Sequence, residues 1–296
     1  MILVFGSQGQ LGRELVARAE ADGIALTALP HAEADITDPK SIAQAMARLR
    51  PELVINAAAY NLVDKAEAQP AQALRTNALG PSLLAAAAKR SGVPVIHVST
   101  DFVFDGQKFG AYREDDPVAP LGVYGRSKAQ GEEGVRNANP HHLIVRTAWL
   151  YSVHGSNFVK TVLRLAAERD AMDMVADQRG SPTAAGDLAK ALLIAAAAAQ
   201  RGKAPWGTYH FAGLGETSRH GFASAIVAAQ APFTGRLPVV NVTNAAAFKT
   251  AAARPANSAL DSTKFAEAFG FRSDDWNVAV NRVVAAIFAA KGTASA

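Results

Sequence analysis

Short apolar runs alternate with helical patterns through the first half of this chain. Ile2 to Phe5, Ile24 to Leu29, Leu53 to Ala57, Val93 to Ser99 and Leu143 to Thr147 have strand length and are rich in Val, Ile and Leu. Leu11 to Ala21, Ala71 to Arg90 and Gly125 to Asn137 carry helical spacing. Asp38-Pro39 starts a further helix, with aspartate at the N-cap and proline at the first helical position. Continuous apolar strands separated by helices predict a parallel sheet covered on both faces.

Beyond residue 150 the rhythm loosens, and Pro182, Pro205, Pro232, Pro238 and Pro255 punctuate the chain. A helix over Asn157 to Glu168, a short strand over Met172 to Ala176 and a helix over Ala184 to Ala199 are expected. Tyr209 to Ala212, a helix near Phe222 to Ala229, and Leu237 to Val242 follow. Asp261 to Phe269 and Trp276 to Ala290 read as closing helices, with Lys291 to Ala296 expected to be a disordered tail. The expected organisation is a dinucleotide-binding domain over residues 1–150 and a smaller, mainly substrate-binding lobe over 151–296, some of whose elements can return to the sheet.

Composition narrows the function. The 296 residues are 49% hydrophobic and 19% charged, as in soluble globular proteins. No apolar run reaches the ~18 residues of a membrane helix. The alanine run Ala195 to Ala199 is closed off by Gln200, Arg201 and Lys203. No basic segment precedes Ile2 to Phe5, which is itself too short for a signal peptide, so the expected address is the cytoplasm. Without cysteine there are no disulfides and no thiolate metal sites. The net charge of +4 comes from 30 cationic against 26 anionic residues, with no block of five like charges. That argues against a nucleic-acid footprint and suits a small anionic substrate.

Three segments carry the chemistry. The turn Gly6-Ser7-Gln8-Gly9-Gln10-Leu11-Gly12 follows the first strand and opens the first helix, the layout that cradles a dinucleotide pyrophosphate on a helix N-terminus. Its Gly-x-x-Gly-x-x-Gly spacing is weak evidence alone, since glycine turns between strand and helix are common. Asp35, shortly after the second strand, can face the adenosine end, leaving Asp38 as the helix cap. Asn56-Ala57-Ala58-Ala59 ends the third strand with small side chains that let a nucleotide approach, though an alanine patch for helix packing would read the same way.

The other two segments are Ser99-Thr100-Asp101, at the end of the fourth strand, and Tyr124-Gly125-Arg126-Ser127-Lys128, about 25 residues further on. A tyrosine four residues before a lysine is frequent on solvated helix faces. Here the pair follows a strand end, where parallel sheets bind ligands. A phenol of pKa ~10 is a poor acid–base group at neutral pH, and an ammonium on the same helix face is expected to lower that value. Thr100 would then bind a carbonyl oxygen and Tyr124 give it a proton. Lys128 would assist, also holding the nicotinamide ribose. The fold expected from these features is α/β, a Rossmann-type doubly wound parallel sheet with a smaller C-terminal lobe.

These residues resemble the extended branch of the short-chain dehydrogenase/reductase superfamily. The segments ADITDP, NAAAYNLVDKAE, VSTDFVFDG, PLGVYGRSK, LIVRTAWLY, NFVKTVLRLA, DQRGSPT and ARPANSALD, in order after GSQGQLG, are similar to the dTDP-4-dehydrorhamnose reductase family. The resemblance runs from residue 6 to about residue 261. Tyr-x-x-x-Lys identifies only the superfamily, whereas Ser-Thr-Asp-x-Val-Phe with Arg-Thr-x-Trp and Arg-Pro-x-Asn-Ser is far more specific.

The resemblance implies an NAD(P)H-dependent oxidoreductase of dTDP-rhamnose biosynthesis, working on a nucleotide sugar as a monomer or homodimer without nucleic acid or membrane. Thr100, Tyr124 and Lys128 would be catalytic. Gly6, Gly9, Gln10, Leu11, Gly12, Asp35, Ile36, Ala58, Ala59, Tyr60, Ser99, Tyr124 and Lys128 would hold the cofactor. Thr100 and Asp101 would contact the 4-keto sugar, Trp149 would pack on it, and Arg254 would meet the diphosphate. Trp149 as a core residue and Arg254 as a surface residue pinned by Pro255 are the plainer alternatives.

Two departures matter. Relatives often carry an arginine for the adenosine 2′-phosphate after the second strand, where this chain reads Leu29-Pro30-His31-Ala32. His31, with a reference pKa of ~6.5, is mostly neutral at physiological pH, so both NADPH and NADH are expected to serve, with the preference open. Some relatives bind magnesium at a dimer interface; Glu14 stands at such a place, but Gly186 and the alanine-rich C-terminus offer no companions, so no metal is expected. Rival readings are another nucleotide-sugar 4-ketoreductase or epimerase, and a non-catalytic regulatory subunit of the same fold. The presence of Thr100, Tyr124 and Lys128 together argues against the last.

Overall fold

The computed structural model describes residues 1–293. Six parallel strands form the central sheet: β1 (Ile2–Phe5), β2 (Leu26–Leu29), β3 (Leu53–Asn56), β4 (Val95–Thr100), β5 (His142–Thr147) and β6 (Gly207–His210). They lie in the order β6-β5-β4-β3-β1-β2, and every pairing is parallel. The chain moves from β1 outward to β2, then crosses back to β3 on the other side of β1. That reversal opens a crevice at the carboxyl ends of β1 and β3, where doubly wound sheets bind ligands.

β1 and β3 are buried along their whole length, because helices cover both faces. On one face α1 (Gln10–Ala21) and the alanine-rich α6 (Ala185–Gln200) pack with Val4, Ile55 and Val145. On the other, α2 (Pro39–Leu49), α3 (Gly80–Arg90) and α4 (Val123–Ala138) pack with Leu3, Val54 and Ile144. Asp38 caps α2, accepting from the Lys40 and Ser41 amides at 3.0 and 3.3 Å, as the Asp-Pro start predicted. The second half of the sequence thus supplies both β6 and α6 to the sheet layers.

The helix expected over Ala71 to Arg90 is interrupted. Pro70–Leu74 is α-helical, Arg75–Leu79 is one π-helical turn, and α3 follows. Pro81 has no N–H to give to the Asn77 carbonyl four residues earlier, which favours the wider turn. α4 crosses so close to that carbonyl that a Cβ on Gly131 would stand 2.0 Å from it. The buried Asn77 side chain accepts from the Tyr60 amide and donates to the Tyr60 carbonyl, each at 2.8 Å, pinning the loop after β3 to this turn.

A second core holds the lobe. Helices α5 (Phe158–Glu168), α7 (Arg219–Thr234) and α8 (Trp276–Thr293) pack with the parallel strand pair Ala171–Val175 and Val239–Thr243. Phe222 sits at its centre, in ring contact with Trp149, Tyr151, Phe158 and Trp276. Within the expected tail, Lys291 to Thr293 continue α8, and Ala294 to Ala296 lie outside the described residues.

Candidate active site

A cleft of about 760 Å³ runs along the carboxyl ends of β1, β3, β4 and β5, with the lobe as its far wall. The three glycines of the first turn do three different jobs. Gly6 has φ +95°, and a Cβ there would lie 2.7 Å from the Ala58 amide nitrogen, so β1 and the loop after β3 meet backbone to backbone. A Cβ on Gly12 would lie 2.2 Å from the Gly6 carbonyl, which lets α1 start directly under the turn. A Cβ on Gly9 would meet only the Gly6 carbonyl, at an ordinary 3.5 Å. Gly9 also N-caps α1 without a side chain, so the helix's first N–H groups lie bare beside the cleft. That bare surface, faced by Ala57 to Ala59, fits a dinucleotide pyrophosphate.

Asp35 marks one end of the cleft. Its Oδ1 accepts the Thr37 amide at 2.8 Å and stands 3.8 Å from His31 Nδ1. Partial burial pushes its carboxyl up. The Thr37 hydrogen bonds and the charges of His31 and Arg75 outweigh this and hold it below the usual range. Arg75, from the π turn, also lines this end, and its Nε donates to Thr37 Oγ1 at 3.2 Å.

The strand end Ser99-Thr100-Asp101 and the first turns of α4 form the middle. Thr100 Oγ1 donates to Asp101 Oδ1 at 2.8 Å and accepts the Phe102 amide at 3.2 Å. The Tyr124 ring lies edge-on to Phe102, 5.6 Å between centroids. Removal from water pushes its phenol up to about 12; the Asp101 charge adds to the rise and the Thr100 hydroxyl opposes it. Lys128 is buried, and its Nζ donates to the Val98 carbonyl at 2.7 Å. Burial brings its ammonium down to about 8, with Glu132 opposing. The expectation that Lys128 lowers the phenol's pKa is therefore not met here. The ammonium is turned to a strand carbonyl, and desolvation of the phenol prevails.

Beneath this lies an ion pair at which sequence reasoning did not look. Arg146 on β5 donates to Glu132 on α4 through Nε at 2.8 Å and Nη2 at 2.7 Å, and both are buried. Ser99 Oγ donates to the same carboxylate at 2.6 Å. Ser99 thus borders the cleft while its hydroxyl is committed inward.

The far end is built from side chains. Trp149 adopts φ +44°, and its Nε1 donates to Ser258 Oγ at 3.0 Å. Its ring lies so close to Gly180 that a Cβ there would stand 2.4 Å from it. The Arg219 guanidinium sits 3.5 Å from the Trp149 ring centre, and burial lowers its pKa to about 10. Asp101 is 2% exposed; burial raises its carboxyl to about 6, and its Oδ2 has no hydrogen-bond partner among the described residues. Arg254 forms a two-pronged pair with Asp64, Nη1–Oδ1 3.0 Å and Nη2–Oδ2 2.7 Å. Its guanidinium is the first cause holding Asp64 at about 2.

The cleft gathers Gly6, Gly9, Gln10, Leu11, Asp35, Ile36, Ala58 and Ala59 with Ser99, Thr100, Asp101, Tyr124, Lys128, Trp149 and Arg254. Two of the expected residues stand outside its lining. Gly12 packs under the turn, and the Tyr60 hydroxyl donates to Gln69 Oε1 at 2.8 Å. Arg75 and Arg219 line the cleft although no motif pointed to them, and Phe158 lines it from within the NFVKTVLRLA segment without having been singled out. Among the described residues there is no group of three His, Asp or Glu able to hold a metal ion, and Glu14 faces Gly186.

A parallel sheet with a glycine turn at its switch point and a tyrosine and lysine at a neighbouring strand end is the architecture of dinucleotide-binding reductases. The RmlD substrate binding domain family matches residues 1–288. The dTDP-4-dehydrorhamnose reductase of Aggregatibacter actinomycetemcomitans is 42% identical, over 95% of this chain and 97% of its own. The crystal structure of the dTDP-4-dehydrorhamnose reductase of Clostridium acetobutylicum superposes with a TM-score of 0.89 at 34% identity, covering 97% of this chain and 99% of that one. That of Bacillus anthracis, in complex with NADP, gives 0.89 at 32% identity over 96% and 98%. The chain belongs to the RmlD family of dTDP-4-dehydrorhamnose reductases. Among its described residues no helix is long and apolar enough to cross a membrane.

Proposed function

We propose that this chain reduces the 4-keto group of dTDP-4-dehydro-L-rhamnose to a hydroxyl, giving dTDP-L-rhamnose at the expense of NADPH or NADH. The observation that carries the reading is that one cleft joins a bare glycine turn at Gly9 to the Thr100–Tyr124 pair. A bound nicotinamide supplies the hydride to C4. Thr100 orients the C4 oxygen and Tyr124 gives that oxygen its proton. A phenol held up to about 12 stays protonated at neutral pH, as a proton donor must. The Thr100 hydroxyl steadies the resulting phenolate, and Lys128, swung from the Val98 carbonyl, completes that stabilisation and meets the ribose hydroxyls.

Asp101 and Trp149 face the sugar. Arg254 and Arg219 present guanidinium groups to the diphosphate, whose geometry they match. Every residue named lies on one chain, so the reading holds for a monomer or a homodimer, and a dinucleotide and a nucleotide sugar as substrates support a cytoplasmic address. The test incubates the purified protein with dTDP-4-dehydro-L-rhamnose and either cofactor, follows dinucleotide absorbance and identifies the product sugar. A panel of other 4-keto nucleotide sugars runs in parallel. Turnover confined to another member of the panel would transfer the reading to that substrate, and no oxidation of either cofactor with any member would end it.

A further inference from the structure

Four cationic side chains and His31 line the cleft, and three of the four are committed to its middle and far end: Lys128 to the Val98 carbonyl, Arg219 over Trp149, and Arg254 to Asp64. His31 and Arg75 remain, both beside Asp35. They differ in how they are held. The His31 side chain is 80% exposed and stands 3.8 Å from Asp35 Oδ1. Arg75 is anchored at one nitrogen, Nε on Thr37 Oγ1, and its guanidinium makes no other hydrogen bond among the described residues. Its carrier is fixed as well, because Asn77, two residues on in the same π turn, bonds Tyr60 and Ser127.

We infer that Arg75 is the residue that recognises the 2′-phosphate of NADPH, and so sets the choice between the two dinucleotides. The inference rests on reading the cleft as the dinucleotide site. A guanidinium tethered through Nε keeps Nη1 and Nη2 as a two-pronged donor, the geometry that matches a phosphate dianion. Asp35, a carboxylate at the same end, would repel that dianion, and a permanent positive charge beside it offsets the repulsion. In the sequence only His31 stands where relatives often carry an arginine, and because it carries charge only when protonated the preference stays open. Arg75 recognises the phosphate at every physiological pH. It is invisible in the sequence because it lies on the helix after β3, not in the loop after β2.

The test is equilibrium binding of NADPH and of NADH to the full chain, read by dinucleotide fluorescence without sugar substrate, with 2′,5′-ADP as a competitor. Wild type is compared with Arg75→Leu, Arg75→Lys and His31→Ala. Arg75 is exposed, so the variants should fold, and their melting curves check this. Arg75→Leu should weaken NADPH and 2′,5′-ADP about 10–100-fold and leave NADH unchanged, with Arg75→Lys between the two. Equal losses for NADPH and NADH would put Arg75 on the adenine or ribose and overturn the inference. So would an unchanged NADPH affinity, or a selective loss in His31→Ala alone. A wild type that bound neither dinucleotide would instead bring down the reading of the cleft beneath it.

Discussion

The two ends of the cleft keep their shape by different means. At the glycine turn, backbone meets backbone: Gly6 against the Ala58 amide and Gly12 against the Gly6 carbonyl. At the far end, side chains hold one another: Trp149 on Ser258, Arg219 over Trp149, and Arg254 on Asp64. A surface of backbone contacts cannot adjust, which suits the part that all dinucleotides share. A cluster of guanidinium and carboxylate groups can exchange partners when an anion arrives, which suits the variable half of a substrate.

The comparison breaks most sharply at Gly12. Gly12→Val sets side-chain atoms into the turn's own backbone and should cost about 4 kcal/mol or more of stability, read by urea unfolding. Gly9→Val has room in the protein, so it should melt like wild type while its dinucleotide affinity collapses. A Gly9→Val protein that bound NADPH normally would show that this surface does not face the ligand. Next in size is Tyr124→Phe, expected to lower kcat by about 10²–10⁴-fold with NADPH affinity unchanged. Near-normal turnover would remove Tyr124 from its role.

A third test concerns Asp101, whose carboxyl is raised from 3.8 to about 6 in the fold. The folded state binds this proton more tightly, so the stabilisation is complete below pH 3.8 and lost as pH rises through 6. At pH 8 the buried charge costs up to about 3 kcal/mol. Asp101→Asn, with similar shape and no charge to bury, should therefore be more stable than wild type at pH 8 and not at pH 4. Parallel stability profiles would show the carboxylate is compensated after all. The smallest effect on stability belongs to Arg254→Met. Its ion pair is partly open to water, so the loss should be about 1 kcal/mol or less. The KM for nucleotide sugar should still rise about tenfold while NADPH binding stays put.

What the sequence disclosed follows the same division. The glycine turn, the capping Asp38 and the Tyr124–Lys128 spacing are local, and each lies in the element its pattern predicted. Asp64 and Arg254 are 190 residues apart, and nothing near either announces the other. Arg219 sits on a helix whose visible pattern is the apolar one around Phe222. The two-residue strands Arg179–Gly180 and Asn257–Ser258, which set Gly180 and Ser258 around Trp149, are too short to carry any periodicity. The direction of Lys128 was illegible for another reason: i,i+4 spacing fixes a shared helix face, not which acceptor on that face wins the ammonium.

The π turn at Arg75–Leu79 has a consequence for descent. It accommodates one residue more than an α-helix of the same span, with Arg75 over Thr37 before it and α3 in the core after it. Deleting any one residue there would let the helix close to regular geometry. Everything upstream would then turn by about 100° relative to α3. Arg75 would swing away from Thr37, or Asn77 would let go of Tyr60. The length of this helix is consequently under stricter selection than most of its side chains. Homologous chains that keep both contacts should differ here by substitution and never by insertion or deletion.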